Sequence, residues 1–365
     1  MMKNQKDNKI RKPSQITLDL TDRCQLQCVT CSKWHTSAAD VIGKELTTNE
    51  WKSVILNIRD WLGEGASFWF SGGEPFLRDD IFELASYAKS LGLHAASMTN
   101  GYSIRHLTEL IVDSDIETIS ISLNAVNDPE IHNASRGRKD AFEKTMEAIL
   151  SLKKIREEKS GRLNISIATI IFPENLEEII PLAEFTKKNG LTGIMFQIID
   201  DVDAFHSFYE HKCYDTEHYR MPDALKDQYQ KMSARGVQII SQLIELKKEG
   251  YVIYNTYEQL EAMRTFLKDP DRIVTKIPCD VADTSMGIDP YGEVRLCFNM
   301  SPVGNVKEEK PEEIWKGRNA CSCRAATKNC KMYCRLLNCN FDKSHKSLVH
   351  RAVHKGIRIL KGYRT

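Results

Sequence analysis

Cysteine is the residue type whose number and spacing in this sequence point to chemistry. There are 11 cysteines, in an N-terminal group of three, an isolated Cys213 and a C-terminal group of seven. In a reducing compartment, an inventory of this kind indicates metal or redox chemistry rather than disulfide bonds. The grouped residues are Cys24, Cys28, Cys31, Cys279, Cys297, Cys321, Cys323, Cys330, Cys334 and Cys339.

The N-terminal group has the spacing C-x3-C-x2-C and directly follows an apolar, β-branched run. Four-iron clusters normally take four cysteines, so three thiolates would leave one iron open to an external ligand. An open coordination position is what allows a metal site to do chemistry rather than only hold structure. The spacing alone would also suit zinc, so at this point both metals stay open.

Short apolar runs alternate with amphipathic stretches as far as residue 200, a pattern typical of repeated βα units around a parallel sheet. With six such units, the sequence predicts an α/β fold, a partial (βα)6 TIM-like barrel that is open rather than closed. Residues that follow the strands would then form the site. The predicted strands are Ile16–Leu20, Ser67–Ser71, His94–Thr99, Glu117–Asn124, Asn164–Ile171 and Gly193–Ile199.

Helices are expected between these strands. Thr47 and Glu50 have the spacing of a capping box, and a helical apolar pattern follows until Gly63. Further helices are expected to stop at Gly92 and Gly190. The predicted organisation is a tail (1–13), the barrel (14–204), a helical connection (205–276), a cysteine-rich domain shaped mainly by bound metal (277–342) and a basic tail (343–365).

Composition excludes several function classes. The 51 basic and 50 acidic residues give no bulk charge for nucleic acid or membrane binding. No apolar run reaches the roughly 18 residues that a membrane span needs. The first 15 residues contain several Lys and Asn residues, where a signal peptide would need an apolar stretch. We therefore expect a cytoplasmic protein that does not bind nucleic acid.

Four motifs stand after consecutive strands. They read Cys24-Gln-Leu-Gln-Cys28-Val-Thr-Cys31, Ser71-Gly72-Gly73-Glu74-Pro75, Thr99-Asn100-Gly101 and Arg136-Gly137. Together they resemble the radical S-adenosylmethionine (SAM) superfamily over all six βα units. The resemblance implies that the three cysteines ligate a [4Fe-4S] cluster whose fourth iron is chelated by SAM. It also implies reductive cleavage of SAM to a 5′-deoxyadenosyl radical, which abstracts hydrogen from a substrate.

The same resemblance implies roles for the other motif residues. Gly72 and Gly73 would let the backbone approach the ligand, and Glu74 would accept hydrogen bonds from the SAM ammonium group. Pro75 would belong to the same cofactor-binding motif. Asn100, Ser122 and Asn124 would contact the ribose or the methionine moiety, and Arg136 would pair with the SAM carboxylate. For each of these residues alone, a turn or capping role is equally compatible with the sequence.

One position departs from the family pattern. The residue before the third cysteine is usually aromatic, whereas this chain has Thr30. The adenine contact would then have to come from elsewhere, for which Trp34 is a candidate, although a core role for Trp34 fits equally well. The departure affects the adenine contact and not the cluster.

The C-terminal cysteines are similar to the SPASM extension of this superfamily, which holds two auxiliary [4Fe-4S] clusters with seven cysteines. One auxiliary cluster, as in the shorter twitch domain, and a structural zinc are the alternatives. SPASM sequences have C-x2-C-x5-C-x3-C where this chain has C-x1-C-x6-C-x3-C, so Cys323 is displaced by one residue. By position, the nearer cluster would take Cys279, Cys297 and Cys334. The farther one would take Cys321, Cys323, Cys330 and Cys339.

Candidates for the substrate step follow the sixth strand. Asp200 or Asp201 would take a proton from a substrate radical, and Cys213 would donate a hydrogen atom to one. Solvated loop acids and a small buried cysteine are the competing interpretations. Gln197, on the sixth strand, would contact substrate or join a core polar network.

The resemblance thus implies a radical SAM enzyme with net oxidation through its auxiliary clusters. Only about 14 residues precede the first strand, which favours a small-molecule or carbohydrate-type substrate. A maturase of a ribosomally made peptide is the alternative, and a non-catalytic metal-binding regulator is the second. We expect an electron donor such as flavodoxin or ferredoxin. The basic tail (343–365) would be solvated or would contact a membrane or a protein partner.

Overall fold

The computed structural model describes residues 10–31, 44–199, 221–269 and 279–330. Nine strands in these ranges form one sheet, in the order β6-β5-β4-β3-β2-β1-β7-β8-β9. Their bounds are β1 Gln15–Thr21, β2 Ser67–Gly72, β3 His94–Thr99, β4 Ile116–Ser122, β5 Asn164–Ile171, β6 Gly193–Ile198, β7 Ser285–Ile288, β8 Glu293–Arg295 and β9 Gly304–Asn305.

The first six strands are parallel and pair in chain order. β6 and β9 lie at opposite ends of the sheet, so within the described residues the sheet does not close. This confirms the α/β fold with an open, partial barrel. The fourth strand ends at Ser122 rather than at Asn124, because the Asn124 backbone N–H donates to His132 Nδ1 (3.1 Å) and not to a neighbouring strand.

Helices cover one face of the sheet, and their apolar sides pack on alternating strand residues such as Ile16, Leu18 and Leu20. Their bounds are α1 Thr48–Leu62, α2 Ile81–Ser90, α3 Thr108–Asp113, α4 Pro129–Arg136, α5 Ala141–Glu158, α6 Ile179–Lys188, α7 Asp223–Lys248, α8 Tyr257–Lys268, α9 Val281–Thr284, α10 Pro311–Lys316 and α11 Arg318–Asn329. No helix among the described residues is long and apolar enough to span a membrane.

The helix after β1 forms as its sequence predicts. The Thr47 side chain accepts from the Glu50 backbone N–H (3.3 Å), and the Glu50 carboxylate accepts from the Thr47 backbone N–H (2.7 Å). Both bonds of a capping box are therefore present. The helix expected to stop at Gly190 follows a 3-10 segment, Pro173–Glu178, and is α-helical from Ile179 to Lys188.

The described part of the cysteine-rich segment joins the barrel sheet. β7 pairs in parallel with β1, and β8 and β9 extend the sheet antiparallel to it. Val294, Ile314 and Trp315 belong to the same buried apolar cluster as the barrel strands. Apolar packing therefore shapes this segment together with any bound metal.

Candidate functional site

The three N-terminal cysteines lie in the loop that leaves the carboxyl end of β1. Cys28 is buried, and Cys24 and Cys31 are half-buried against an apolar cluster that includes Leu26 and Tyr102. Burial raises the pKa of Cys24 to about 12. A thiolate at this position therefore needs a positive partner, and a metal centre provides one.

The carboxyl end of α4 holds this loop in place. The Gln27 backbone N–H donates to the Arg136 carbonyl (3.3 Å), and that of Val29 donates to the Ser135 carbonyl (3.1 Å). Gly137, with φ +68°, ends the helix, and a Cβ there would meet the Gln27 carbonyl oxygen at 2.5 Å. Glycine is thus required for the helix end to lie on the cysteine loop.

Arg136 brings a buried positive charge to the cysteines. Its side chain is in hydrogen-bonding range of Cys28, with Nη1 3.8 Å from Sγ, and its Nε has no hydrogen-bond partner. No carboxylate among the described residues pairs with it. A buried guanidinium is stable only beside negative charge. The donor set and this unmatched cation therefore fit an iron–sulfur cluster with thiolate ligands and a carboxylate-bearing ligand such as SAM.

Asn100 contacts the cysteine loop as well. Its Nδ2 donates to Cys24 Sγ (3.6 Å), and its Oδ1 accepts from Gln25 Nε2 (3.1 Å) and from the Tyr102 backbone N–H (2.9 Å). The side chain is therefore held in one orientation beside the first cysteine. Hydrogen bonds to a cluster sulfur ligand are one means by which a protein tunes such a cluster.

Glu74 is fully buried beneath Asn100. Its carboxylate accepts from the Asn100 backbone N–H and from Thr99 Oγ1, both at 2.8 Å, and from the Phe76 backbone N–H at 3.3 Å. Burial raises the pKa of Glu74 to about 7. A carboxylate has about four acceptor positions, so protein donors occupy most of them. In this structure Glu74 positions Asn100, and its contact with SAM stays a prediction.

Gly72 and Gly73 allow the loop after β2 to pack on the loop after β1. A Cβ at Gly72 would meet the Thr21 carbonyl oxygen at 2.3 Å, and one at Gly73 would meet that of Arg23 at 2.2 Å. The close approach in this structure is therefore to protein backbone. Pro75 begins a short 3-10 turn, Pro75–Leu77, directly after Glu74.

The two polar residues at the end of β4 differ in their environments. Ser122 is half-buried at the last position of the strand. Asn124 is fully buried, and its side chain donates to Ser135 Oγ (2.9 Å) and accepts from Thr169 Oγ1 (3.2 Å). Asn124 therefore belongs to a polar network beneath the site, and any contact with SAM stays a prediction for both residues.

Sequence reasoning missed Glu178, which anchors the other end of α4. This buried carboxylate accepts from the backbone N–H groups of Val126 (2.7 Å), Asn127 (2.8 Å) and Asp128 (3.2 Å). No local pattern could have identified it, because Glu178 lies about 50 residues from the amides that it binds.

The described C-terminal cysteines have unequal exposure. Cys279, Cys323 and Cys330 are buried, Cys297 is half-buried and Cys321 is exposed. Within the described ranges, no three His, Cys, Asp or Glu side chains converge on one metal ion. Cys334 and Cys339 lie outside the described residues.

Most candidates for the substrate step also lie outside the described residues. These are Asp200, Asp201 and Cys213; the adenine-contact candidate Trp34 and the basic tail (343–365) lie outside the described residues as well. Gln197 is described, on the edge strand β6, and is exposed. Its position is compatible with contact to a substrate.

Comparison with known proteins identifies two family matches. Residues 18–186 match the radical SAM superfamily, and residues 279–340 match SPASM, an iron-sulfur cluster-binding domain. The chain is 34% identical over 179 residues to the AdoMet-dependent heme synthase of Methanosarcina barkeri, covering 49% of this chain and 48% of that protein. It is 34% identical over 137 residues to the PqqA peptide cyclase of Bradyrhizobium diazoefficiens. That match covers 37% of this chain and 34% of the cyclase.

The chain thus spans about half, or less, of the length of the curated relatives that it matches. Among solved structures, anSMEcpe with bound AdoMet and Kp18Cys peptide superposes with a TM-score of 0.62 at 17% identity, over 94% of this chain and 95% of that one. This likeness establishes a shared fold over nearly the whole of both chains.

Proposed function

The chain is a member of the radical SAM superfamily with a C-terminal SPASM domain, and from this premise we propose that it is an enzyme that reductively cleaves SAM. The observation that carries the proposal is the buried Arg136 beside Cys28, with Nη1 3.8 Å from Sγ. When bound, a [4Fe-4S] cluster and SAM supply a 5′-deoxyadenosyl radical that abstracts hydrogen from a substrate.

In this proposal the chain's own residues hold and shield the cofactors. Cys24, Cys28 and Cys31 ligate three irons, Asn100 donates a hydrogen bond to the sulfur of Cys24, and Arg136 balances the negative charge of the SAM carboxylate. Leu26, within the cysteine loop, packs with Tyr102 and Cys28 and shields the loop from water.

The test is anaerobic reconstitution with iron and sulfide, followed by SAM and dithionite. We expect 5′-deoxyadenosine to form, and a variant with Ala at Cys24, Cys28 and Cys31 to form none while it keeps the iron of the C-terminal domain. Cleavage that survives in this variant would refute the proposal. Failure of the intact protein to cleave SAM would leave the non-catalytic metal-binding regulator as the better interpretation.

We propose a peptide as the first substrate class to test. The support is the match to a peptide cyclase and the peptide bound in anSMEcpe. A small molecule, including a carbohydrate-type one, is the second class, and the match to a heme synthase supports it. The net reaction that we propose is an oxidation, in which the substrate radical would lose a proton and pass one electron to an auxiliary iron–sulfur cluster held by the SPASM domain.

The two substrate classes can be separated with extracts of the source cells. A low-mass extract that stimulates 5′-deoxyadenosine formation should lose this effect after protease treatment if the substrate is a peptide. The effect should survive the same treatment if the substrate is a small molecule. Heat-inactivated protease is the control for nonspecific inhibition.

A further inference from the structure

Two of the C-terminal cysteines lie on opposite sides of one helix. Cys321 and Cys323 both belong to α11 (Arg318–Asn329), two residues apart. Each residue turns an α-helix by about 100°, so the two side chains diverge by about 200°. The exposures agree with this geometry, since Cys321 is exposed and Cys323 is buried, with only 8% of its surface accessible.

The helix has a clear buried face, to which Cys323 belongs. The buried residues Ala320, Cys323, Arg324 and Thr327 recur at intervals of three or four, and the buried Cys330 continues the same face just after the helix. In a C-x2-C pair, the two cysteines would be only about 60° apart and would share a face. The one-residue displacement in this chain therefore turns one thiol away from the other.

The surroundings of Cys323 connect it with the other cysteine segments. Its Sγ lies 3.5 Å from Met300 Sδ, and the Met300 backbone N–H donates to the Cys297 carbonyl (3.3 Å). The next residue, Arg324, forms an ion pair with Asp283, with Nε 3.2 Å from Oδ1. Asp283 lies in α9, the short helix that follows Cys279. The buried face of α11 thus packs against the segments that carry Cys279 and Cys297.

The surroundings of Cys321 are different. Its thiol points to the carbonyl oxygen of Lys316, the last residue of α10, 3.9 Å away. A cluster bound to both Cys321 and Cys323 would have to reach around α11 or unwind it. Unwinding would break backbone hydrogen bonds of the helix and expose the packing of Ala320 and Thr327.

We propose that Cys323, and not Cys321, ligates an auxiliary iron–sulfur cluster, on the side of α11 that faces the Cys297 loop. This departs from the assignment by sequence position, in which both cysteines serve the farther cluster. The proposal depends on the match of residues 279–340 to an iron-sulfur cluster-binding domain. It does not depend on the reaction proposed above. Cys321 then remains a thiol exposed to solvent.

The first test compares Cys321→Ala with Cys323→Ala after anaerobic reconstitution. We expect Cys321→Ala to keep the iron content and the reduced-state electron paramagnetic resonance spectrum of the unsubstituted protein. We expect Cys323→Ala to lose about four irons per chain, the content of one [4Fe-4S] cluster. Equal iron in the two variants, whether kept or lost, overturns the proposal.

A second test uses the reconstituted, unsubstituted protein, in case Cys323→Ala fails to fold. Brief anaerobic treatment with a maleimide, followed by peptide mass spectrometry, should label Cys321 while the irons stay bound. Protection of Cys321 until the iron is removed by a chelator would overturn the proposal. Neither test requires SAM or a substrate, so their failure is distinguishable from failure of the proposed function.

Discussion

At Arg136, a guanidinium lies in the protein interior without a carboxylate partner among the described residues. Its Nη1 lies within hydrogen-bonding range of Cys28 Sγ, at 3.8 Å. A hydrogen bond to a charged group contributes about 1.5 to 3 kcal/mol when its partner is present. The binding of a negatively charged ligand should therefore depend strongly on this one side chain.

We predict that Arg136→Gln binds SAM about 10- to 100-fold more weakly than the unsubstituted protein, the affinity change that corresponds to this energy. Equilibrium dialysis with radiolabelled SAM on the reconstituted proteins measures this change. Arg138→Gln is the matched control, because Arg138 is exposed and lies over the Tyr102 ring. Equal affinities in the two variants would contradict the role given to Arg136.

Substitution of Gly137 tests whether the packing of α4 on the cysteine loop contributes to stability and to iron binding. Gly137→Ala combines a left-handed backbone (φ +68°) with a clash at 2.5 Å against the Gln27 carbonyl oxygen. Gly190→Ala has a similar φ of +61° but no atom within 4 Å. Both should lose about 1 to 2 kcal/mol of unfolding free energy in urea titrations because of the backbone alone.

We predict a further loss for Gly137→Ala, together with less iron bound at the N-terminal cysteines. Comparing iron contents in a background with Ala at Cys279, Cys297 and Cys323 separates this iron from that of the SPASM domain. If Gly137→Ala and Gly190→Ala bind equal iron, the helix end does not support the cluster loop.

Residue spacing predicted part of the site and not the rest. The three N-terminal cysteines are close in sequence, and Arg136-Gly137 is a local motif, so both could be recognised without a structure. Glu178 could not be recognised, because its three amide partners meet it only after β4 and β5 have paired. Two partners of Glu74 could not be recognised either, since Thr99 is the last residue of the next strand, β3, and Asn100 follows it.

Among the elements, α4 is held at both of its ends. Glu178 accepts hydrogen bonds from the residues that lead into the helix, and the carbonyl groups at its carboxyl end accept from the cysteine loop. Placing a carboxylate at the amino end of a helix also agrees with the helix dipole. Glu178 thus fixes the amino end of the helix whose carboxyl end binds the cysteine loop.

We predict that Glu178→Ala loses about 3 kcal/mol of unfolding free energy, because three backbone amides lose their buried acceptor. Glu177→Ala is the control: Glu177 is exposed and pairs with Arg235 at 2.6 Å. A surface pair of this kind contributes at most about 1 kcal/mol. Urea titration of both variants gives the comparison, and similar losses would argue against the anchoring role.

Periodicity predicted most elements of the barrel, because most strands are apolar runs and the helices bury one side. It did not predict that β7 lies beside β1. The strand has four residues, and its partner is 270 residues away along the chain. No local sequence pattern predicts that two strands so far apart in the chain will pair.

At the scale of the whole molecule, the sheet and the core pass from the barrel into the cysteine-rich segment. Trp315 is fully buried, its ring centroid lies 6.0 Å from that of Trp61 on α1, and its Nε1 donates to the Arg11 carbonyl (2.8 Å). The two parts share one apolar cluster. We therefore expect them to unfold together.

We predict that calorimetry shows one unfolding transition, and that Trp315→Ala lowers its midpoint without splitting it, through a loss of about 3 to 5 kcal/mol. Phe298→Ala is the control, because Phe298 is 44% exposed and its loss should shift the midpoint little. Two separate transitions in the unsubstituted protein would show that the parts are independent.

The pairing of β1 with β7 has a consequence for protein synthesis. A ribosome that adds about 5 to 20 residues per second needs roughly 15 to 50 s to make the 270 residues between the two partners. Throughout that time, the edge of β1 that β7 will cover has no partner strand, and an open edge can pair with other nascent chains. Slower translation at lower temperature lengthens this interval, so coexpression of a chaperone that covers β-strand edges should raise the soluble yield more than cooling does.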